Sequence, residues 1–239
     1  MLAFDRPFMK LSIVIPFFNE EENAEMVLRE ARAAQPDAEI IAVNDGSTDR
    51  TPEIIAALPD ILLITFPRNL GQSAALYAGI VNATGDFIVP MDGDGQNDPA
   101  DIQHLLARRD EFDVVCGYRR ERKDSWSIRM ASKIANRTRQ LFTHDGIRDA
   151  GCTLKLIRRE HLRYFTPFGE MQCYMMAMLR KNGLRIGEIP VNHRPRRFGR
   201  SKYTIARRAW RGIWDLIGVS WLLRRNIPWP QGFPRPDAR

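Results

Sequence analysis

The stretch DFIVPMDGDGQ, residues 86–96, joins a short apolar run to a turn that carries two carboxylates. An apolar run of this length, bounded by turn residues, predicts a strand that is buried on both faces. Similar runs lie on either side of it, and helical patterns fill the intervals. The predicted strands are 11–16, 38–44, 61–65, 86–91 and 113–117, and the predicted helices lie near 20–34, 50–58, 72–83 and 99–109. This alternation predicts an α/β fold with a doubly wound, mostly parallel sheet.

The second half of the chain follows a different pattern. A helix is predicted near 125–142, the segment GCTLKLI at 151–157 has the composition of a strand, and a further helix ends near Gly183. We expect one α/β domain over residues 1–202. Residues 203–239 are expected to form a C-terminal appendage, an amphipathic basic helix followed by a proline-rich tail.

Composition and charge narrow the choice of partners. The formal net charge of +7 favours anionic ligands or surfaces. The three cysteines are widely spaced and form no C-x-x-C pair, so neither a disulfide framework nor a zinc ribbon is predicted. The N-terminal stretch MLAFDRPFMK lacks the apolar core of a secretory signal, and no uninterrupted apolar run predicts a transmembrane helix. These features predict a cytoplasmic protein.

The turn after the predicted fourth strand carries the clearest chemical signal. Ligands of open parallel sheets bind beyond the carboxyl ends of the strands, which is where this turn is expected to lie. Asp92, Asp94 and Gln96 offer oxygen ligands of the kind that Mg²⁺ or Mn²⁺ prefers. A calcium EF-hand is excluded, because Asn97 stands where that motif needs glycine and Gln103 where it needs glutamate. The alternative is a solvated turn without a metal.

The first three predicted strands also end in polar loops. These loops are PFFNE at 16–20, NDGSTD at 44–49 and RNLG at 68–71, and none has the glycine pattern of a dinucleotide fold or a P-loop. Their carboxylate and amide groups are suited to accept hydrogen bonds from a nucleobase and from ribose hydroxyls. The alternative is helix capping, for which the candidates are Asn19, Ser47 and Asp49.

Taken in order, these motifs resemble the inverting glycosyltransferases with the GT-A fold. Within that group they resemble the branch that includes dolichol-phosphate mannosyltransferase and the bacterial polyprenyl-phosphate glycosyltransferases. The resemblance covers residues 10–203 and rests on PFFNEEEN, VNDGSTD, RNLGQSAALYAG, GDFIVPMDGDGQNDP, CGYRR, DAGCTLKLIRRE and RRFGRSKY. Two positions depart from the family pattern, Asn44 in place of aspartate and Gly95 in place of an aliphatic residue.

The resemblance implies a GT-A domain with a Rossmann-like half that binds a nucleotide-diphosphate sugar, with UDP or GDP as the nucleotide. The candidate donor-binding residues are Pro16, Phe18, Asn19, Glu20, Asp45, Asn69, Asp92, Arg196 and Lys202. The candidate ligands of Mg²⁺ or Mn²⁺ are Asp92, Asp94 and Gln96. Arg196 and Lys202 match a basic loop, R-x-x-G-x-S-K, that closes over the donor pyrophosphate in the family.

The basic segment after the fifth strand is expected to bind the acceptor. Arg119, Arg129 and Ser132 are candidates for holding the phosphate of a polyprenyl phosphate, since guanidinium groups match phosphate oxygens. An ionised phosphate needs no general base, so positioning and stabilisation of the leaving group by Asp94 and its metal carry the catalysis. With a soluble or glycan hydroxyl as acceptor, a base is required, and Asp149 is the candidate. A solvated basic face is the further alternative.

The appendage is expected to lie flat on the cytoplasmic face of a membrane. On a helical projection Arg207, Arg208, Arg211 and Asp215 share one side, and the opposite side carries Trp210, Ile213, Leu216, Ile217 and Trp221. A basic amphipathic helix with tryptophans suits an anionic interface.

Other functions of the basic second half of the chain remain as alternatives. The same helix stripe also suits docking onto the domain, onto another copy or onto a separate membrane subunit. No groove-reading motif indicates a nucleic-acid partner. A non-catalytic scaffold that binds membrane or nucleic acid is the remaining alternative, and His104, His144, His161 and His193 show no metal-ligand spacing.

Overall fold

The computed structural model describes residues 9–120, 126–198 and 205–225. Strands and helices alternate along most of this chain, as the sequence predicts. The strands are β1 (Leu11–Phe17), β2 (Glu39–Asn44), β3 (Ile61–Thr65), β4 (Phe87–Pro90), β5 (Val114–Arg119), β6 (Lys155–Arg158) and β7 (Ile186–Val191). The α-helices are α1 (Ala24–Ala34), α2 (Thr51–Ala56), α3 (Gln72–Asn82), α4 (Asp101–Leu106), α5 (Trp126–Thr143), α6 (Met171–Lys181) and α7 (Ile205–Arg225), and a 3₁₀ helix covers Arg159–Tyr164.

The strands form a single seven-stranded sheet in the order β3-β2-β1-β4-β6-β5-β7. All neighbouring pairs are parallel except those of β6, which runs antiparallel to β4 and to β5. The mixed α/β fold with a mostly parallel sheet is therefore confirmed. Because β1 to β4 are parallel, the loops that follow these strands reach the same edge of the sheet.

Two differences from the sequence expectation concern the second half. Strand β7 is absent from the prediction, since IGEIPV is short and its exposed Pro190 interrupts the apolar pattern. The predicted strand at 151–157 is reduced to β6, because residues 149–154 form a turn at the sheet edge before the ladder begins. That turn places Asp149 and Thr153 near the other loops instead of in the middle of the sheet.

The hydrophobic core lies on both faces of the sheet, and β1 shows why. Its alternate residues Ile13 and Ile15 pack in the cluster that contains α1 and α4, whereas Val14 packs in the cluster that contains α3 and α6. Helix α3 approaches β1 so closely that a Cβ on Gly79 would lie 2.2 Å from Cγ1 of Val14. This close approach fixes the N-terminus of α3 beside the functional edge.

Helix α7 packs against the same body, in contact with α5 and α6. Its residues Leu216, Val219 and Leu223 belong to or pack against the α3 and α6 cluster, and the hydroxyl of Tyr174 donates to the carbonyl of Gly212 at 3.4 Å. Within the described ranges, no helix is both long and apolar enough to cross a bilayer.

Candidate active site

The carboxylate turn follows β4 directly, and its first aspartate is held from three directions. The side-chain amide of Gln72, the first residue of α3, donates to Oδ1 of Asp92 at 2.8 Å. The hydroxyl of Thr153 donates to Oδ2 at 2.7 Å, and the backbone N–H of Asp92 donates to the side chain of Asn97 at 2.8 Å. Both carboxylate oxygens are thus oriented by groups that the sequence places far apart.

Close packing also fixes the turn between the two aspartates. A Cβ on Gly93 would lie 2.6 Å from the carbonyl oxygen of Pro16, so only glycine allows this approach to the end of β1. Oδ1 of Asp94 accepts from the backbone N–H of Gln96 at 3.1 Å. The turn therefore places Asp92, Asp94 and Gln96 at the edge of the sheet, and their binding of a metal stays a prediction.

The electrostatics of the turn fit a cation. Burial, and then the charge of Asp94, raise the pKa of Asp92 to about 6, although Thr153, Arg119 and Lys155 act in the opposite direction. A buried carboxylate whose pKa is raised by a neighbouring carboxylate gains from a divalent ion held between the two. Among the described residues, no group of three or more His, Cys, Asp or Glu side chains could hold a metal ion. The donor set of two carboxylates and an amide suits Mg²⁺ or Mn²⁺, which leave positions for water and substrate phosphate.

The raised pKa of Asp92 predicts how stability depends on pH without metal. In the folded chain Asp92 keeps a proton up to about pH 6, whereas the unfolded chain loses it near the ordinary value of 3.8. The contribution of Asp92 to the free energy of unfolding in chelator should therefore fall as the pH rises from about 4 to about 6. Urea denaturation over this range compares the chain with Asp92→Asn, which should become more stable relative to the unchanged chain as the pH rises. The same pH dependence of the free energy of unfolding in both proteins would contradict the raised pKa of Asp92.

A basic strap, residues 192–198, follows β7 and lies against the carboxylate turn. Nη2 of Arg196 is 2.6 Å from Oε1 of Glu20 and 3.7 Å from Oδ2 of Asp94. The guanidinium of Arg194 contacts Asp98 at 2.8 Å, and its backbone N–H donates to the carbonyl of Gln96 at 2.9 Å. Arg196 therefore places a positive charge between the end of β1 and the carboxylate turn.

The loops after β1 and β2 are tied to each other. Asn19 has a left-handed backbone, with φ of 50°, and its side-chain oxygen accepts from the backbone N–H of Thr48 at 2.8 Å. Its own backbone N–H donates to the hydroxyl of Ser47 at 2.9 Å. Asn19 thus joins the two loops and does not cap α1, which begins at Ala24. Asp49 does act at the start of α2, where its carboxylate accepts from the backbone N–H of Thr51 at 3.0 Å.

Asp45 organises the loop that follows β3. Its buried carboxylate accepts from the side chain of Asn69 at 2.9 Å, from the N–H of Leu70 at 2.7 Å and from the N–H of Gly71 at 3.0 Å. Burial raises the pKa of Asp45, and the hydrogen bonds from this loop oppose that shift. Asp45 and Asn69, two predicted donor-binding residues, are therefore directly bonded and fix the entrance to α3.

Arg119 and Asp149 form a mostly buried ion pair. Nε of Arg119 donates to Oδ2 of Asp149 at 2.7 Å, and Nη2 donates to Oδ1 at 2.8 Å. Burial acts against the charged guanidinium, but the hydrogen bonds and charge of Asp149 raise the pKa of Arg119 overall. Arg119, the candidate for binding an acceptor phosphate, is thus paired with Asp149, the candidate base for a hydroxyl acceptor. Such a pair supports the turn that carries Thr153.

The remaining predicted residues are only partly described. Pro16 lies in β1 beside Val43 of β2, and Phe18 follows β1 in a half-buried position. Arg129 and Ser132 lie on α5, but their side chains fall outside the described part of the chain, as does all of Lys202.

Three residues of the site were missed by sequence reasoning. Gln72 and Thr153 hold Asp92, and Lys155 is buried nearby, with its ammonium group donating to the carbonyl of Cys152. The sequence does contain a signal for Thr153 and Lys155, because these two polar residues alternate with apolar ones in the segment CTLKLI. A polar residue at that point of a buried strand indicates a partner in the interior.

Comparisons with known proteins agree with this fold. The model of glycosyl transferase family 2 matches residues 12–165. Glucosyl-3-phosphoglycerate synthase from Mycobacterium tuberculosis, solved with Mg²⁺ and uridine diphosphate, is 18% identical with a TM-score of 0.67, over 88% of this chain and 80% of that chain. S. aureus TarS, residues 1–349, is 16% identical with a TM-score of 0.62, over 93% of this chain and 67% of that chain. These likenesses confirm the GT-A architecture expected from the motifs.

Proposed function

Because the chain belongs to glycosyl transferase family 2, we propose that it transfers a sugar from a nucleotide-diphosphate sugar to a polyprenyl phosphate, with inversion at the anomeric carbon. The observation that carries the proposal is the carboxylate turn at the sheet edge. Asp92 is oriented by Gln72 and Thr153, and Asp94 lies beside the guanidinium of Arg196. This arrangement is suited to a metal-bound diphosphate.

The proposal of a nucleotide-diphosphate-sugar donor rests on the charged groups that would surround its diphosphate. Asp94 and Gln96 would hold Mg²⁺ or Mn²⁺ with Asp92 next to them, and the ion would offset the charge that develops on the departing nucleotide diphosphate. The Mycobacterium tuberculosis synthase was solved with Mn²⁺ and uridine-diphosphate-glucose, which supports a donor of this class. Arg196 adds a positive charge on the same side, next to Glu20.

The proposal of a phosphate acceptor rests on the ion pair that Asp149 forms with Arg119. A carboxylate that accepts two hydrogen bonds from a guanidinium is a weak base, because protonation would break the ion pair. Asp149 is held in this way by Arg119. A phosphate acceptor is ionised and needs no base, so the pair favours it over a hydroxyl acceptor. The basic residues of α5, among them Lys133 and Arg137, add positive charge on the same segment of chain.

A hydroxyl acceptor is the second candidate, supported by the fold neighbours. The Mycobacterium tuberculosis synthase was solved with phosphoglyceric acid, a small soluble acceptor. On this alternative Arg119 would have to release Asp149 before the carboxylate takes a proton from the hydroxyl.

The test is release of free nucleotide diphosphate by the purified chain with Mn²⁺. A panel of UDP- and GDP-sugars is assayed with polyprenyl phosphate in detergent, with phosphoglyceric acid, and with neither acceptor. We expect release that depends on both the lipid and the metal, with a chelator-treated sample as control. Release of nucleotide diphosphate only with phosphoglyceric acid would indicate that the acceptor group is a hydroxyl and not a lipid phosphate. No release with any donor would overturn the enzymatic proposal in favour of a scaffold.

A further inference from the structure

Helices α5 and α7 carry most of the exposed apolar surface in the described chain. Of the twelve large apolar side chains that are exposed there, eight lie on these two helices, which contact each other. They are Met130, Ile134, Leu141 and Phe142 on α5, and Ile213, Trp214, Ile217 and Trp221 on α7. An apolar surface of this kind marks an interaction site, because scattered exposed residues would not concentrate on two adjoining helices.

Helix α7 has two separate apolar faces. The first face, with Leu216, Val219 and Leu223, packs into the core beside α6. The second face, defined here as Ile213, Trp214, Ile217 and Trp221, is more than half exposed at every position. The helical projection of the sequence places Leu216 and Ile217 on one side, but packing separates them. The first face therefore docks α7 onto the domain, and the second face stays exposed to solvent.

The positive charge of the protein is concentrated on the same two helices. Together α5 and α7 contain nine arginines and lysines but one acidic residue, Asp215. The whole chain has 36 basic and 29 acidic residues, so everything outside the two helices carries 27 against 28 and is nearly neutral. Arg139 is buried against Asp145, whereas Lys133, Arg137, Arg224 and Arg225 are exposed.

We propose that the exposed faces of α5 and α7 bind an anionic lipid bilayer, with the second face of α7 inserted at the interface. Apolar and tryptophan side chains flanked by arginines are suited to the boundary between acyl chains and anionic headgroups. A second copy of the chain fits less well, because a two-fold contact through this surface would place like charges against each other. The inference does not depend on sugar transfer.

Intrinsic fluorescence gives a direct readout, because four of the five tryptophans lie on these two helices. They are Trp126 on α5 and Trp210, Trp214 and Trp221 on α7. The full chain is titrated with vesicles of phosphatidylcholine and with vesicles of an equal mixture of phosphatidylcholine and phosphatidylglycerol. We expect an emission shift to shorter wavelength and co-sedimentation with the mixed vesicles only, both weakened by added salt.

A matched pair of variants localises the contact. Ile217→Glu and Val81→Glu introduce the same charge at positions that are 54% and 52% exposed, the first on α7 and the second on α3. We expect the apparent affinity for mixed vesicles to fall at least about tenfold for Ile217→Glu and by less than about twofold for Val81→Glu. Circular dichroism and the unfolding midpoint check that both variants fold.

Three outcomes would overturn the proposal. The first is equal binding to neutral and anionic vesicles, and the second is an equal effect of the two variants. The third is a dimer in sedimentation velocity that Ile217→Glu converts to a monomer while neither protein binds vesicles, which would assign the surface to a second copy.

Discussion

Replacing Asp94 with asparagine is expected to lower kcat/KM for donor turnover at least about a thousandfold. The substitution keeps the size of the side chain and an oxygen that accepts from the backbone N–H of Gln96, but it removes the negative charge that would hold the metal beside Asp92. Without that ion, the charge on the departing diphosphate loses its divalent partner, and a single guanidinium charge such as that of Arg196 does not replace it. Initial rates of nucleotide diphosphate release at saturating Mn²⁺ measure the loss.

Metal binding provides a readout of the same substitution that does not require turnover. Titration of Mn²⁺, followed by the loss of its free electron paramagnetic resonance signal, should show weaker binding for Asp94→Asn. Asp37→Asn is the control, because it removes the same charge from an exposed position in the segment between α1 and β2. If Asp94→Asn binds Mn²⁺ like Asp37→Asn and retains full turnover, the turn is not a metal site.

The second large effect concerns stability. Replacing Asp149 with alanine leaves the guanidinium of Arg119 mostly buried without its bidentate partner. The free energy of unfolding should fall by about 3–5 kcal/mol, the usual cost of breaking a buried ion pair from one side. The double variant Arg119→Met with Asp149→Ala should be more stable than Asp149→Ala alone, since it also removes the unpaired charge. Urea denaturation measures all three proteins.

A surface pair on α1 serves as the control for this experiment. Glu25 and Arg29 are 2.8 Å apart, but their side chains are more than half exposed. Glu25→Ala should cost less than about 1 kcal/mol, because water screens the pair. A cost for Asp149→Ala that is as small as that of Glu25→Ala would show that the buried pair does not stabilise the sheet edge.

Much of the architecture is predictable because its determinants are local. Strands β1 to β5 appear in the sequence as short apolar runs, and the turn with Asp92 and Asp94 follows one of them directly. Since parallel strands end at one edge, their loops are expected to meet. Strand β7 is the exception. Its three exposed or half-exposed positions weaken the pattern that buried strands show. Its parallel pairing with β5, which composition does not reveal, places it in the sheet.

Within the site, the sequence identified groups but not partners. Asp92, Asp149 and Arg119 were recognised as polar groups at strand ends, but the sequence contains no sign that the last two form an ion pair. Gln72 is 20 residues and Thr153 is 61 residues from Asp92, and both meet it only because helix α3 and the turn before β6 reach the same edge.

The sequence by itself determined the order of strands and loops and the chemical types at the sheet edge, since apolar period and turn residues act over a few positions. Only the tertiary structure decided which polar groups bond, because those contacts depend on how distant segments cross the sheet. It also separated Leu216, which is packed, from Ile217, which is exposed. Helical periodicity defines the faces of a helix, but neighbouring elements decide which face is buried.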